Sequence, residues 1–188
     1  SGDPELADLA ARVISEITTY VDAHVGALYV SKNGSIPTLA LLGSYAYTKR
    51  KNLSNAFALG EGLVGQAALE KKQILVKNIP QDYFQITSGT GERVPSFICL
   101  TPFLYEGRVK GVIEIGTLHE MTDTQLGYLG QAVSAIAIAM EASERRTNLA
   151  QALAESQQLS EELQVQQEEL RTTNEELEEQ AKRLKESE

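Results

Sequence analysis

Residues 97–117, FICLTPFLYEGRVKGVIEIGT, read as two apolar strands folded about a two-residue turn. Aliphatic, aromatic and β-branched side chains fill both arms, and Glu106-Gly107 between them supplies the glycine that a tight reversal needs. Strands joined by so short a connection run antiparallel. The apolar run is nearly unbroken around Cys99, which alternates with Ile98 and Leu100, so the thiol is expected to be buried. Glu114 sits in VIEIGT, a strand apolar enough to be covered on both faces, where an unpaired carboxylate would be costly.

Working outward, the segment 81–96 shows no regular period, and ILV at 74–76, closed by Asn78 and Pro80, reads as a short strand. Before it, ALGEGLVGQAALEKK at 58–72 is a glycine-rich entry into a short helix. The glycines are not a Walker motif, because the lysine and hydroxyl that should follow are missing; Gly60, Gly62 and Gly65 are expected to permit a tight turn and close packing. Lys49-Arg50-Lys51 reads as a solvated loop. GALYVS at 26–31, Asn33-Gly34 and TLALLGSYAY at 38–47 make another hairpin. Asp3-Pro4 is a helix start, and Leu6, Leu9, Ala10, Val13, Ile17, Tyr20 and Val21 recur at threes and fours along a helix that ends before Gly26. Downstream, Thr122 with Gln125 forms a capping box, and Gly130 is the last glycine. One helix is therefore expected from about Asp123 into the tail. The order is that of an α+β fold: a five- or six-stranded antiparallel sheet with the first and last helices on one face and the central loops on the other.

The chain has 188 residues, enough for one ordinary core at residues 1–148 with residues 149–188 left over. Its net charge of -9 is uneven: the last forty residues hold 4 Lys and Arg against 11 Glu. Nucleic acid and anionic membrane both demand clustered cations, so neither is an expected partner. No apolar run approaches the roughly 18 residues of a membrane span, and the N-terminus lacks the pattern of a signal peptide. A cytoplasmic setting fits. Ser1-Gly2 has the look of a cloning remnant, so the chain reads as a piece of a longer protein. Cys99 is the sole cysteine, which excludes an internal disulfide, and His24 and His119 alone give little support to zinc or haem.

In the tail, Leu149, Leu163, Leu170, Leu177 and Leu184 share one seven-residue spacing, interrupted at Ser156. With these at position d, Leu153, Ser160, Gln167, Asn174 and Ala181 fall at a; with them at a, Ala152, Leu159, Gln166, Thr173 and Gln180 fall at d. Both registers remain open. Either way two parallel copies would bury the leucines, and alternate polar layers would keep the pairing weak, as suits an element with two arrangements close in energy. A passive spacer rod is the plainer alternative.

GEGLVGQAALEKKQILVKNIP, DYFQITSGTGE, the strand ending GVIEIGT and the long last helix together resemble a GAF domain of the sort found in bacterial hybrid sensor histidine kinases. ELQVQQEELRTTNEELEEQAKRL, at 162–184, resembles the signalling helix that joins such domains to a kinase core. A PAS domain is the nearest rival, but it lacks a long first helix paired with the last. The resemblance implies a regulatory role, a homodimer through the helices, a downstream histidine kinase core that this chain does not contain, and a small-molecule pocket between sheet and loops. Tyr29, Phe57, Tyr83, Phe84, Cys99, Thr101 and Glu114 are the candidates to line that pocket. Residues of these types are more often plain core, and the plainer reading of Glu114 is a bond to backbone amides or to a nearby basic residue such as Arg93. Departures from better-known relatives argue against three ligands. Cys99 precedes Leu100 rather than the histidine common beside covalent bilin, the cyclic-nucleotide signature cannot be placed, and haem would need an axial ligand for which two isolated histidines are weak grounds. Sulfoxide-reducing relatives use several cysteines, whereas Cys99 has no resolving partner. Catalysis by Cys99 or Glu114 lacks a visible base, metal or oxyanion device. The two other readings are a sensory dimerising module and a structural coiled-coil adaptor with a protein-binding head.

Overall fold

The computed structural model of the chain describes residues 4–32, 36–46, 55–79, 86–88, 91–93 and 95–186. Helix α1, Pro4–Tyr20, leads into strand β1, Val25–Lys32, and β2, Thr38–Tyr45. Then come β3, Ala56–Ala58, helix α2, Gly62–Glu70, and β4, Ile74–Lys77. Short strands β5, Ile86–Ser88, and β6, Gly91–Arg93, precede the long hairpin of β7, Phe97–Tyr105, and β8, Arg108–Thr117. Helix α3, Asp123–Glu186, runs 64 residues without interruption.

Six strands form one sheet in the order β3-β2-β1-β8-β7-β4, every pairing antiparallel. The hairpin at 97–117 lies at its centre, and Glu106 and Gly107 at its tip both have positive φ, 48° and 75°. The Asn33-Gly34 turn lies outside the described residues; β1 and β2 pair antiparallel, with Lys32 opposite Thr38. Two expectations change. The segment 81–96 is not wholly irregular, since β5 and β6 pair as a separate two-stranded sheet. Ala58, expected as the first residue of the helix entry, instead ends an edge strand, β3, that the sequence alone does not place. Three-residue strands carry too little alternation to be read from sequence.

The sheet is covered on both faces. On one, Ile14 and Ile17 of α1, Val21 just after it, and Leu129, Val133 and Ala137 of α3 pack on Leu28, Cys99, Phe103, Ile113 and Ile115. On the other, Val64, Ala67 and Ala68 of α2 pack on Ala27, Tyr29, Leu39, Ile98, Leu100 and Val112. Both terminal helices thus share one face, as the order of hydrophobic periods implies. The α3 start is fixed by the capping box. The Gln125 amide N–H donates to Thr122 Oγ1 at 3.3 Å, the Thr122 N–H donates to Gln125 Oε1 at 2.8 Å, and Gln125 Nε2 donates to the Val21 carbonyl at 2.7 Å. By contacts within the chain, two compact units emerge, Ser1–Glu141 and Ala142–Glu188.

Candidate functional site

Tyr29 of β1 and Glu114 of β8 stand on the α2 face, because Ala27 is opposite Glu114 and Tyr29 is opposite Val112 in the ladder. Both are buried, at 1% and 5% exposure, and the Tyr29 hydroxyl donates to Glu114 Oε2 at 3.2 Å. Phe57 of β3 meets the Tyr29 ring edge to face, with centroids 5.5 Å apart. A buried carboxylate satisfied by a phenol beneath a short helix is a polar group inside an apolar wall, the arrangement by which ligand sites fix orientation. The helix over it begins at a tight turn that glycine enters without strain. Gly60 and Gly62 have φ of 83° and 59°, and Glu61 Oε2 accepts the Ala58 amide at 2.8 Å. A Cβ on Gly65 would come within 2.2 Å of the Ala58 carbonyl, so the glycine allows α2 to close against β3.

The expected pocket residues do not all converge. Cys99 and Thr101 are two apart on β7 and point to the α1/α3 face, where Cys99 packs with Ile113, Ile115 and Val133. The sheet separates them from Tyr29, Phe57 and Glu114. Cys99 is fully buried, and burial pushes its thiol up to about 11 from 9.0, partly offset by the Thr101 hydroxyl 3.4 Å away. A thiol so held is mostly protonated and a poor nucleophile at neutral pH. Thr101 Oγ1 also accepts from Gln73 Nε2 at 2.9 Å, which accounts for its place in the core without a ligand. Tyr83 and Phe84 lie outside the described residues, as does the Arg93 side chain.

His24 and His119, far apart in sequence, stand edge to face at 6.4 Å, and His24 Nδ1 is buried without a hydrogen-bond partner. Among the described residues no group of three His, Cys, Asp or Glu is placed to hold a metal.

The tail presents a different surface. Leu149, Leu153, Leu163, Leu170, Leu177 and Leu184 are between 51% and 71% exposed, and Asn174 is exposed on the same helix. Ion pairs four residues apart, Arg171 with Glu175 and Arg183 with Glu179, brace its polar sides. Among the described residues no helix is long and apolar enough to cross a membrane.

The sequence model for the GAF domain matches residues 3–141. The chain belongs to the GAF domain family. GAF domains are sensory domains and generally regulatory, though some proteins of this fold are enzymes. Three solved structures illustrate the likeness. The GAF domain of an Acinetobacter phosphoenolpyruvate-protein phosphotransferase is 14% identical, with a TM-score of 0.61 over 74% of this chain and 84% of that one. A domain of a Sinorhizobium meliloti 1021 protein described as a two-component sensor histidine kinase is 14% identical, with a TM-score of 0.54 over 78% and 99%. Free methionine-R-sulfoxide reductase from Neisseria meningitidis, in complex with its substrate, is 17% identical, with a TM-score of 0.57 over 75% and 81%. At these identities the likeness concerns the GAF fold alone. No curated protein matches the sequence.

Proposed function

We propose that this GAF domain is a non-catalytic sensory and dimerisation module that passes a conformational signal, through a parallel coiled coil, to a downstream histidine kinase core. The observation that carries the reading is the leucine seam: six leucines at coiled-coil spacing on a helix that leaves each of them at least half exposed. A single chain gains nothing from that pattern, whereas two chains side by side bury it. Burying a leucine side chain fully is worth roughly 1.5 to 3 kcal/mol. The exposed ion pairs of the same helix contribute only a few tenths, so leucine burial decides association. The resemblance of 162–184 to a signalling helix and the sensor-kinase setting of one fold relative favour a kinase as the receiver. On the α2 face, Tyr29, Phe57 and Glu114 are the residues proposed to meet a small-molecule ligand. Cys99 and Thr101, across the sheet, answer to it only indirectly.

Sedimentation of the full chain tests the dimer. The unaltered protein is expected to be dimeric at micromolar concentration, and Leu170→Ala with Leu177→Ala to weaken that dimer while the head keeps its melting temperature. A monomer at those concentrations contradicts the proposal. A thermal-shift screen of small metabolites tests the sensory half, because a ligand that binds only the folded state raises the melting temperature.

A further inference from the structure

Residues 124–140 of α3 contain no Asp, Glu, Lys or Arg. The next residue, Glu141, is charged, yet its side chain is only 9% exposed. It ends the buried stripe of Leu129, Val133 and Ala137, and it is also the last residue of the compact head unit. A carboxylate taken out of water at such a place costs several kcal/mol unless it is compensated. Compensation comes from the tip of the central hairpin. Lys110 Nζ lies 2.6 Å from Glu141 Oε2, its own side chain 13% exposed, and Arg108 Nη2 lies 3.8 Å from Oε1.

Lys110 reaches that face because β8 is irregular there. Phe103 pairs with Gly111 but Leu104 pairs with Val109, so Lys110 is an extra residue in the ladder. A bulge of this kind re-aims a side chain. Val109 and Val112 pack toward α2, while Lys110 turns to α3. Gly111 makes the bulge possible, since a Cβ there would meet the Tyr29 carbonyl at 2.1 Å and the Phe103 ring at 2.2 Å. The same short piece of β8 thus touches the backbone of Tyr29, whose hydroxyl holds Glu114 on the α2 face, and presents the ammonium that holds α3 on the other.

We propose that the Lys110–Glu141 pair is a latch that sets the rotation of α3 on the sheet and couples the Tyr29–Glu114 face to the signalling helix. The inference rests on the reading of this chain as a transmitting module. An apolar contact can slide; a buried ion pair resists it, because a rotation of one residue, about 100°, carries the carboxylate away from the Lys110 ammonium and gives up the contact that offsets their burial. The helix therefore has an engaged setting and a released one, in which Glu141 reaches water, rather than a continuum between them.

Three variants of the full chain separate a latch from a merely structural pair. Lys110→Met and Glu141→Gln each lower the melting temperature, which either reading allows. Lys110→Met with Glu141→Met restores it, since an apolar pair can replace a buried ion pair without loss, but removes the directional contact. The deciding readout is disulfide formation between copies carrying a single added cysteine at position 149 or 151, Cys99 being buried. In the unaltered background Leu149→Cys is expected to cross-link quickly and Gln151→Cys slowly. In the double-Met background the two rates converge. Retention of the full contrast there overturns the latch. If no position cross-links even in the unaltered background, the coiled-coil reading fails, and hydrogen exchange of amides 137–145 then decides the latch by itself. Faster exchange in the double-Met variant at an unchanged melting temperature supports it, and equal exchange overturns it.

Discussion

Between pH 8 and 11 the Cys99 thiol should withdraw a definable part of the head's stability. It is fully buried on the α1/α3 face, and its folded pKa is pushed up to about 11 from 9.0. A group whose folded value is raised contributes its stability below the unfolded value and loses it as pH climbs through the folded one. The penalty is therefore absent below pH 9 and grows between pH 9 and 11, where the unfolded chain ionises its thiol and the folded chain does not. Each pKa unit corresponds to 1.36 kcal/mol, so the two units amount to about 2.7 kcal/mol in full. At roughly 3 °C of melting temperature per kcal/mol for a domain of this size, that is a fall of about 8 °C. Lysine and tyrosine titrate in the same range, so the measurement is a difference. Urea unfolding of the unaltered chain and of Cys99→Ala, at half-unit steps from pH 7 to 11, cancels every group but this one. The gap between the two proteins should be constant up to about pH 8.5 and then shrink by about 2 to 3 kcal/mol. A gap that holds its size to pH 11 would refute the burial argument, and rapid maleimide labelling of native protein at pH 7.5 would do the same.

Tyr29→Phe removes the hydroxyl that donates to buried Glu114 and should cost about 1 to 2 kcal/mol by chemical denaturation. The same change made in a Glu114→Gln background should cost less, and equal costs in both would deny the coupling. Gln125→Ala breaks both the capping box of α3 and the bond to the Val21 carbonyl at the end of α1, for a loss of about 1 kcal/mol or more; an unchanged midpoint would mean that neither bond matters. Glu179→Gln dissolves an exposed ion pair with Arg183 and should leave sedimentation unchanged, whereas Asn174→Leu should tighten association and admit other oligomer states.

The central hairpin was legible because a glycine-bearing turn sits between two long apolar runs, and α3 because a capping box opens a stretch whose last glycine is Gly130. Strands of three residues were not, for β3, β5 and β6 are defined by their neighbours rather than by any period of their own. The pocket set shows how far strand alternation reaches. Parity along β7 already places Cys99 and Thr101 on the side opposite Ile98 and Leu100. What parity cannot supply is the cross-strand register, and it is the pairing of Leu100 with Glu114 that assigns the carboxylate to the α2 side. Lys110 was hidden for a related reason. Regular alternation would aim it with Val112, and only the bulge turns it toward Glu141. Glu141 itself left a trace, as the charge that ends a long uncharged stretch of an otherwise apolar helix face.

The central claim, that the leucine seam joins two copies in parallel so that both C-termini leave together, is tested most directly by a cysteine at position 184. In a parallel dimer the two copies of this residue face each other, and Leu184→Cys should oxidise to a disulfide-linked dimer at micromolar protein, quickly and without denaturant. Leu170→Ala with Leu177→Ala in the same chain should slow that reaction sharply. A dimer by sedimentation whose cysteines at 184 fail to join would mean that the helices pair antiparallel or not at all, and the transmitting role would be wrong.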